Sequence, residues 1–520
     1  MELFNACEYL VDRRVEAGDG ERVALRVRGQ SVTYGELLAQ VSRAAAGLRD
    51  LGVGPEDRVL LVLLDGSEFV TAFLAGLRLG AIPLPLNPLL PGGDLALAAS
   101  DARARVAVVS SERASVAADL VAAASELERL VVVGDLASSE AIRIDVHWWD
   151  ELLSGTDELP AYKTWEDSPG FWLCTSGTTG RPKLAMHRHV DLRLTAEGYA
   201  QEVLRLTAAD RCLSDAPMFH AYGLGNSLTF PLSVGAAAIL EPTRPPTPGL
   251  VAELVRSEQP TLFCSVPTFY AALLAADLPA DSFASVRLAT SAGEPLSADL
   301  FSRFLERFGV EILDGIGSTE LTHIYVSNRQ GRARPGTSGT PVGGYRVRLE
   351  DDEGREVEAG QPGQLLVAGD SLATGYWCRT DATRKQFRGE WFRSGDMYAR
   401  SADGFYSYLG RADDMLRVSG EWVSPAQVEA VLIEHPGVLD AAVVGAAEAG
   451  GLTKPIAFVV PAPGEEIDSE AVLEFCRPRL AGFKRPQRVI VVDELPKTVT
   501  GKIQRAKLRE LATEPAVVVG

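Results

Sequence analysis

The alternation of short apolar runs with amphipathic stretches through the first half of the chain most constrains its fold. From Thr33 to Leu51, residues Tyr34, Leu37, Leu38, Val41, Ala44 and Leu48 recur at the i, i+3, i+4 spacing of a one-faced helix. The run Arg58-Val59-Leu60-Leu61-Val62-Leu63-Leu64 follows and reads as a strand buried on both faces. A second helix is predicted from Glu68 to Leu79, then a short apolar stretch from Ala81 to Pro85. Further runs lie at Val106–Val109, Leu130–Val133, Phe171–Cys174, Ala237–Leu240, Leu262–Cys264 and Arg287–Ser291. Strands separated by helices predict layered α/β structure with parallel sheets. After about residue 330 the texture changes: Tyr345–Glu350, Gly363–Ala368 and Phe405–Leu409 are short strands between Gly/Asp turns, a more antiparallel region. The end of the chain reads as a small α+β unit, with helices at Pro425–Glu434 and Ser469–Arg479 and strands near Val438–Gly445 and Pro455–Val460. Ser424 and Pro425 are placed as N-cap and first residue of the former helix.

Composition narrows the partners. With 51 basic and 70 acidic residues the net charge is −19, which disfavours nucleic acid or an anionic membrane, since phosphate surfaces call for a basic face. The six cysteines are scattered, without a Cys-x-x-Cys pair or Cys/His cluster, so a zinc site is not expected and reduced thiols in a cytosol fit. Glu2, Glu8 and Asp12 stand where a signal peptide would be basic and then apolar, and no run approaches the roughly 18–20 apolar residues of a membrane span. The expectation is a cytoplasmic protein with no nucleic-acid or membrane partner; a homodimer stays open.

Five polar clusters carry the chemistry. Cys174-Thr175-Ser176-Gly177-Thr178-Thr179-Gly180-Arg181-Pro182-Lys183 combines hydroxyls, glycines and two cations, a composition suited to cradling phosphate oxygens, or simply to a surface loop. It lacks the Gly-Lys-Ser/Thr ending of a Walker A motif, so it suggests nucleotide phosphates without suggesting a P-loop NTPase. Asp314-Gly315-Ile316-Gly317-Ser318-Thr319-Glu320 fails as a dinucleotide fingerprint because Glu320 stands at the third glycine position. It reads either as a capped turn or as a hydroxyl for phosphate followed by a carboxylate for Mg²⁺. In Arg393-Ser394-Gly395-Asp396 the aspartate could accept ribose hydroxyls or close an Asx turn. Gly410-Arg411-Ala412-Asp413-Asp414 offers a phosphate or ribose contact at Arg411, and Thr498-Val499-Thr500-Gly501-Lys502 puts a lysine on a glycine turn.

In this order and spacing the five clusters resemble the adenylate-forming superfamily of acyl-CoA synthetases, peptide-synthetase adenylation domains and firefly luciferase, from about Thr33 to Lys507. The resemblance implies a large N-terminal domain, residues 1–412, of layered α/β subdomains with a distorted β region. A small mobile α+β C-terminal domain, residues 413–520, would carry the catalytic lysine. It also implies roles. Thr175, Ser176, Gly177, Thr178, Thr179, Gly180 and Lys183 would close over the β- and γ-phosphates of ATP. Thr319 would contact the α-phosphate and Glu320 would hold Mg²⁺. Asp396 with Arg411 would bind the ribose, and Asp413 would be the hinge. Ala292, Gly293 and Glu294, with Asp314, Gly315 and Ile316, would line the adenine side. Lys502 would serve acyl-adenylate formation, after which the domain turns and brings Ser419 and Gly420 to the site for attack by a thiol.

Phe219-His220-Ala221-Tyr222-Gly223-Leu224-Gly225-Asn226-Ser227 and Leu321-Thr322-His323-Ile324 are similar to the benzoate and aminobenzoate CoA ligases, and Ile316, where many relatives have tyrosine, is shared with that branch. Ala221, Tyr222, Gly223, Gly317, His323 and Ile324 would then line a compact aryl pocket, the glycines leaving room for a ring and His323 reaching a carboxylate or ring substituent. His220, Leu184, Glu421 and Trp422 depart from the usual residues of these enzymes. The resemblance thus implies an enzyme joining a small aromatic carboxylic acid to coenzyme A with ATP and Mg²⁺. The alternatives are an aryl-acid activating enzyme that loads the phosphopantetheine thiol of a carrier protein, and a non-catalytic acyl- or nucleotide-binding relative.

Overall fold

The computed structural model describes residues 2–124, 126–135, 144–155, 158–175, 182–418, 421–447, 453–497 and 503–513. The chain divides into two compact units, Met1–Arg346 with Val367–Phe392, and Val347–Leu366 with Arg393–Gly520. This division falls before the boundary expected at 412/413. The ladder that pairs Asp396 with Arg411 and Arg400 with Tyr406 ties the residues ahead of that boundary into the second unit.

The first unit contains two layered sheets. Five parallel strands run in the order Ile82–Pro85, Arg58–Val62, Val106–Ser110, Arg129–Val133, Asp145–Trp148. A nine-stranded sheet runs in the order Thr340–Pro341, Ile324–Ser327, Ile312–Gly317, Leu288–Ser291, Leu262–Ser265, Arg211–Ser214, Ala237–Leu240, Val23–Val27, Gln30–Thr33. From Ile312–Gly317 to Val23–Val27 its pairings are parallel, and its outer pairings are antiparallel. Alternation explains why the strands are apolar throughout. Val59 and Leu61 join one core with Leu25 and Ala238 of the larger sheet and with Val41, Phe69 and Phe73 of the helices Tyr34–Asp50 and Ser67–Arg78. Leu60 and Val62 face a second core with Leu95, Leu120 and Trp172. Thr33 caps the first helix through Glu36 N, and Glu36 reaches back to Thr33 N, a reciprocal capping box.

The second unit holds the antiparallel ladder from Asp396 to Arg411 and a three-stranded sheet of Val438–Ala447, Thr453–Pro461 and Arg488–Val491. Its helices are Pro425–Ile433, Ser469–Cys476 and Arg505–Thr513; Ser424 caps the first by accepting from Gln427 N at 3.1 Å, as the sequence predicts. Among the described residues no helix is long and apolar enough to cross a membrane.

Candidate active site

Three parallel strands of the larger sheet deliver the expected site loops. Ala221, Tyr222 and Gly223 lie beyond Arg211–Ser214. Ala292, Gly293 and Glu294 follow Leu288–Ser291, and Asp314, Gly315, Ile316 and Gly317 close Ile312–Gly317. Because these strands are parallel, their carboxyl ends share one edge of the sheet, where open α/β sheets bind ligands. Gly293 turns the chain at φ +87°, and Glu294 accepts from Thr268 N at 3.0 Å and from its hydroxyl at 2.6 Å. Burial pushes the Asp314 carboxyl well above the usual carboxylate range.

The next turn is held from several sides. Thr319–Leu321 forms a single 3₁₀ turn and ends at Thr322, whose φ of +68° is the left-handed region that a β-branched residue adopts only under constraint. Ala373 N donates to Glu320 O at 2.8 Å, Ser371 Oγ to Leu321 O at 3.0 Å, and His187 Nε2 lies 2.9 Å from Thr319 O. The Glu320 side chain is buried, with Oε1 2.5 Å from the Tyr376 hydroxyl, which also lies 2.7 Å from Gln386 Oε1. Lys183 Nζ donates to the same Gln386 oxygen at 3.0 Å and sits 4.5 Å over the Tyr376 ring. The strands Pro169–Thr175 and Lys183–Arg188 pair antiparallel, Thr175 opposite Lys183, and Ala185 bridges to Tyr376. The two ends of the expected phosphate loop therefore lie next to the residues that hold Glu320. Ser176, Gly177, Thr178, Thr179, Gly180 and Arg181 lie outside the described residues, as do Ser419, Gly420 and Lys502.

The aryl-pocket residues make a different environment. His323 is packed against Phe230, Tyr199 and Tyr222, with ring centroids 4.5, 5.2 and 5.4 Å away. Its Nε2 faces the Tyr222 carbonyl at 3.3 Å while Nδ1 is buried without a partner among the described residues; burial lowers its pKa to about 3. The ring is thus neutral, with the proton on Nε2. The Tyr222 hydroxyl is engaged by Thr290 Oγ1 at 2.7 Å. The glycines have a different cause from the one expected. A Cβ on Gly223 would stand 2.1 Å from the Pro217 carbonyl oxygen, and one on Gly317 2.5 Å from that of His323, so backbone approach rather than room for a ring requires them. Ile324 is buried in the strand that pairs with Gly317.

In the second unit Asp396 and Arg411 face each other across the ladder, Arg411 Nη1 donating to Asp396 Oδ1 at 2.8 Å and to Ser394 O at 3.1 Å. Gly395, at φ +78°, lets the guanidinium pass where a Cβ would meet it at 2.7 Å. Asp413 is exposed, while Asp414 beside it is anchored by Arg509 at 2.8 Å. Lys497 bridges Ile503, and Gln504 Nε2 donates to Lys497 O at 2.7 Å, joining the two ends of the segment that carries Lys502.

Sequence reasoning missed His187, Asp191, Tyr376 and Gln386. His187 and Asp191 carry a faint signal, an i, i+4 polar pair just after Lys183, whereas Tyr376 sits in Ala373-Thr374-Gly375-Tyr376, which has no distinctive pattern.

Residues 11–377 match the family model of the AMP-binding enzyme, and residues 427–502 match that of the AMP-binding enzyme C-terminal domain. The chain belongs to this adenylate-forming family. It is 45% identical over 515 residues to the benzoate–CoA ligase of Thauera aromatica, covering 98% of this chain and 96% of that protein. The crystal structure of a benzoate CoA ligase from Burkholderia xenovorans LB400 superposes with a TM-score of 0.87 at 41% identity, covering 98% of this chain and all of that one. An anthranilate CoA ligase, AuaEII, solved with anthranoyl-AMP, gives a TM-score of 0.91 at 37% identity, covering 98% of both chains. These similarities place the protein in the benzoate/aminobenzoate CoA ligase branch.

Proposed function

We propose that this protein activates a benzoate-type carboxylic acid with ATP and transfers the acyl group to coenzyme A, releasing AMP and pyrophosphate. The observation that carries the reading is full-length similarity to benzoate–CoA ligases, 45% identical over 98% of the chain. In the first step the acid's carboxylate attacks the α-phosphorus of ATP and the bond to pyrophosphate breaks. In the second the thiol of coenzyme A attacks the acyl carbonyl and AMP leaves. Charge grows on phosphoryl oxygens in the first step, so positioning and electrostatic stabilisation dominate it. Thr319 is assigned to the α-phosphate, Thr175 and Lys183 with the intervening loop to the departing phosphates, Asp396 with Arg411 to the ribose, and Lys502 to the carboxylate and α-phosphate. Asp413 is assigned as the hinge for the second step.

Glu320 fits a magnesium ion of the kind that is bound largely by substrate phosphates. It presents one buried carboxylate with Oε1 taken by Tyr376, and among the described residues no group of three or more His, Cys, Asp or Glu could make an all-protein cage. Such an ion supplies charge neutralisation at the phosphates. For the acid, the aromatic surroundings of His323 favour a flat ring, and a neutral Nδ1 that has no partner among the described residues can accept a hydrogen bond from a ring substituent.

The test is purified protein with ATP, Mg²⁺, a panel of benzoates, cinnamates and fatty acids, and either coenzyme A or a phosphopantetheinylated carrier protein. The expected result is pyrophosphate release and thioester with benzoates and coenzyme A. Transfer to the carrier alone, or no pyrophosphate with any acid, overturns it. Lys502→Ala separates the steps: adenylate formation collapses while thioester formation from synthetic aryl-adenylate persists.

A further inference from the structure

His187 stands outside every motif the sequence offers, yet it is fully buried and its ring touches the turn that carries Thr319 and Glu320. It lies on the strand that leaves the phosphate loop, and Phe171 stacks on one face at 4.9 Å with the rings 13° from parallel. Nε2 lies 2.9 Å from the Thr319 carbonyl oxygen, an acceptor, so this nitrogen carries a proton and donates. Nδ1 lies 3.1 Å from Asp191 Oδ2 and 3.1 Å from the Thr322 hydroxyl. Asp191 is itself fixed, accepting from Arg188 N at 3.0 Å and Arg188 Nε at 3.1 Å.

The ring therefore holds the turn at both ends, Thr319 through Nε2 and Thr322 through Nδ1. Thr322 is the residue that needs holding. It is buried, β-branched and at φ +68°, a conformation costing about 1–3 kcal/mol that persists only where surrounding contacts over-determine it. Releasing Thr322 to an ordinary φ would rotate the preceding peptides, and with them the Thr319 hydroxyl and the Glu320 carboxylate. Tyr376 fixes Glu320 by its side chain.

We infer that His187 is a positioning residue for adenylate formation: its imidazole, oriented by Asp191, clamps Thr319 and Thr322 and thereby holds the strained turn that aims Thr319 and Glu320. The inference rests on the roles proposed above for those two residues. Its experiment therefore reads the turn as well as the reaction.

His187→Gln keeps a donor near the Nε2 position, His187→Asn keeps one near Nδ1, and His187→Phe keeps the ring and its stacking on Phe171 without either hydrogen bond. Each variant is compared with wild type in adenylate formation, in thioester formation from synthetic aryl-adenylate and coenzyme A, and in amide hydrogen exchange of the peptide spanning Thr319–Thr322. Expected are a fall of roughly 30-fold or more in the adenylation kcat for His187→Phe, the scale of losing a buried hydrogen-bonded anchor, partial recovery in His187→Gln, and faster exchange in that peptide. Thioester formation should fall clearly less than adenylate formation, because the adenylate keeps only the α-phosphate contact of Thr319, whereas the first half-reaction draws on Glu320 as well. Equal losses in both half-reactions, or unchanged exchange at Thr319–Thr322, overturn the inference. Thr322→Gly serves if the histidine variants do not fold. Glycine accepts φ +68° without strain but lacks the hydroxyl, so the protein should remain folded, with faster exchange in the turn and slower adenylation. Wild-type rates in Thr322→Gly overturn the clamp. If wild-type protein forms no adenylate at all, the functional reading fails while the exchange comparison still decides whether His187 holds the turn.

Discussion

Thr322 and His323 are neighbours in the chain, yet the environments on either side of the bond between them are built from opposite physics. On the Thr319–Thr322 side every direction is fixed by a polar contact: Ala373 on the Glu320 carbonyl, Ser371 on that of Leu321, His187 on that of Thr319, and Tyr376 on the Glu320 carboxylate. On the His323 side the ring is packed against three aromatic neighbours, and one of its nitrogens is buried with no partner among the described residues. Phosphoryl transfer requires charges aimed to a fraction of an ångström, which directional hydrogen bonds provide. Recognition of a small ring requires shape, which close packing provides, and it leaves discrimination modest: about 1–3 kcal/mol for a methylene-sized difference.

The comparison can be broken most strongly at Glu320. Glu320→Gln should lower adenylate formation on the order of 10²–10³-fold, the scale of losing one electrostatic contact to the transition state, with the KM for the aryl acid little changed; stopped-flow pyrophosphate release reads both. Tyr376→Phe leaves the carboxylate in place but removes its hydroxyl partner. A drop of about tenfold in adenylation is expected, from the roughly 1.5–3 kcal/mol of a hydrogen bond to a charged group, and a normal rate would mean that Tyr376 only fills space.

On the aromatic side, a Cβ on Gly225 would lie 2.4 Å from His323 Cδ2. Gly225→Ala should therefore cost about 1–3 kcal/mol of stability by overpacking and raise the KM for the acid severalfold, leaving that for ATP alone. A changed KM for ATP with an unchanged KM for the acid would place His323 on the wrong side of the comparison.

The smallest effect concerns acid. The folded-state pKa of His323, about 3, lies below the 6.5 of a free histidine, so between these values the unfolded chain binds more protons and stability rises with pH. His189, buried with a pKa of about 4, acts in the same direction. Melting curves of His323→Phe from pH 7 to 4 should show a shallower fall in Tm than wild type. An unchanged slope would mean that His323 is not buried neutral.

The elements most legible in the sequence are those set by local or periodic signals. Arg58–Val62 and Val106–Ser110 are apolar at successive positions because both faces are covered, and the caps at Thr33 and Ser424 are written in adjacent residues. Lys183, Glu320 and Asp396 were legible as motif members. Tyr376 and His187 were not: they come to the Thr319–Glu320 turn from 56 and 132 positions away. The glycines at 223 and 317 were legible as glycines but not in their cause, since the carbonyls that exclude a Cβ come from Pro217 and His323.

The sequence by itself determined the layered α/β class, the positions of most strands and helices, and the residue types of an adenylate-forming site, because periodicity, capping and motif spacing act over a few residues at a time. Only the tertiary structure decided that His187 and Tyr376 hold the turn bearing Glu320, that the Tyr222 hydroxyl is turned to Thr290, and that His323 is a neutral ring in an aromatic nest. Those outcomes depend on which side chains the packed sheets bring within 3 Å of one another and on how completely they exclude water, and neither quantity exists until the chain has folded.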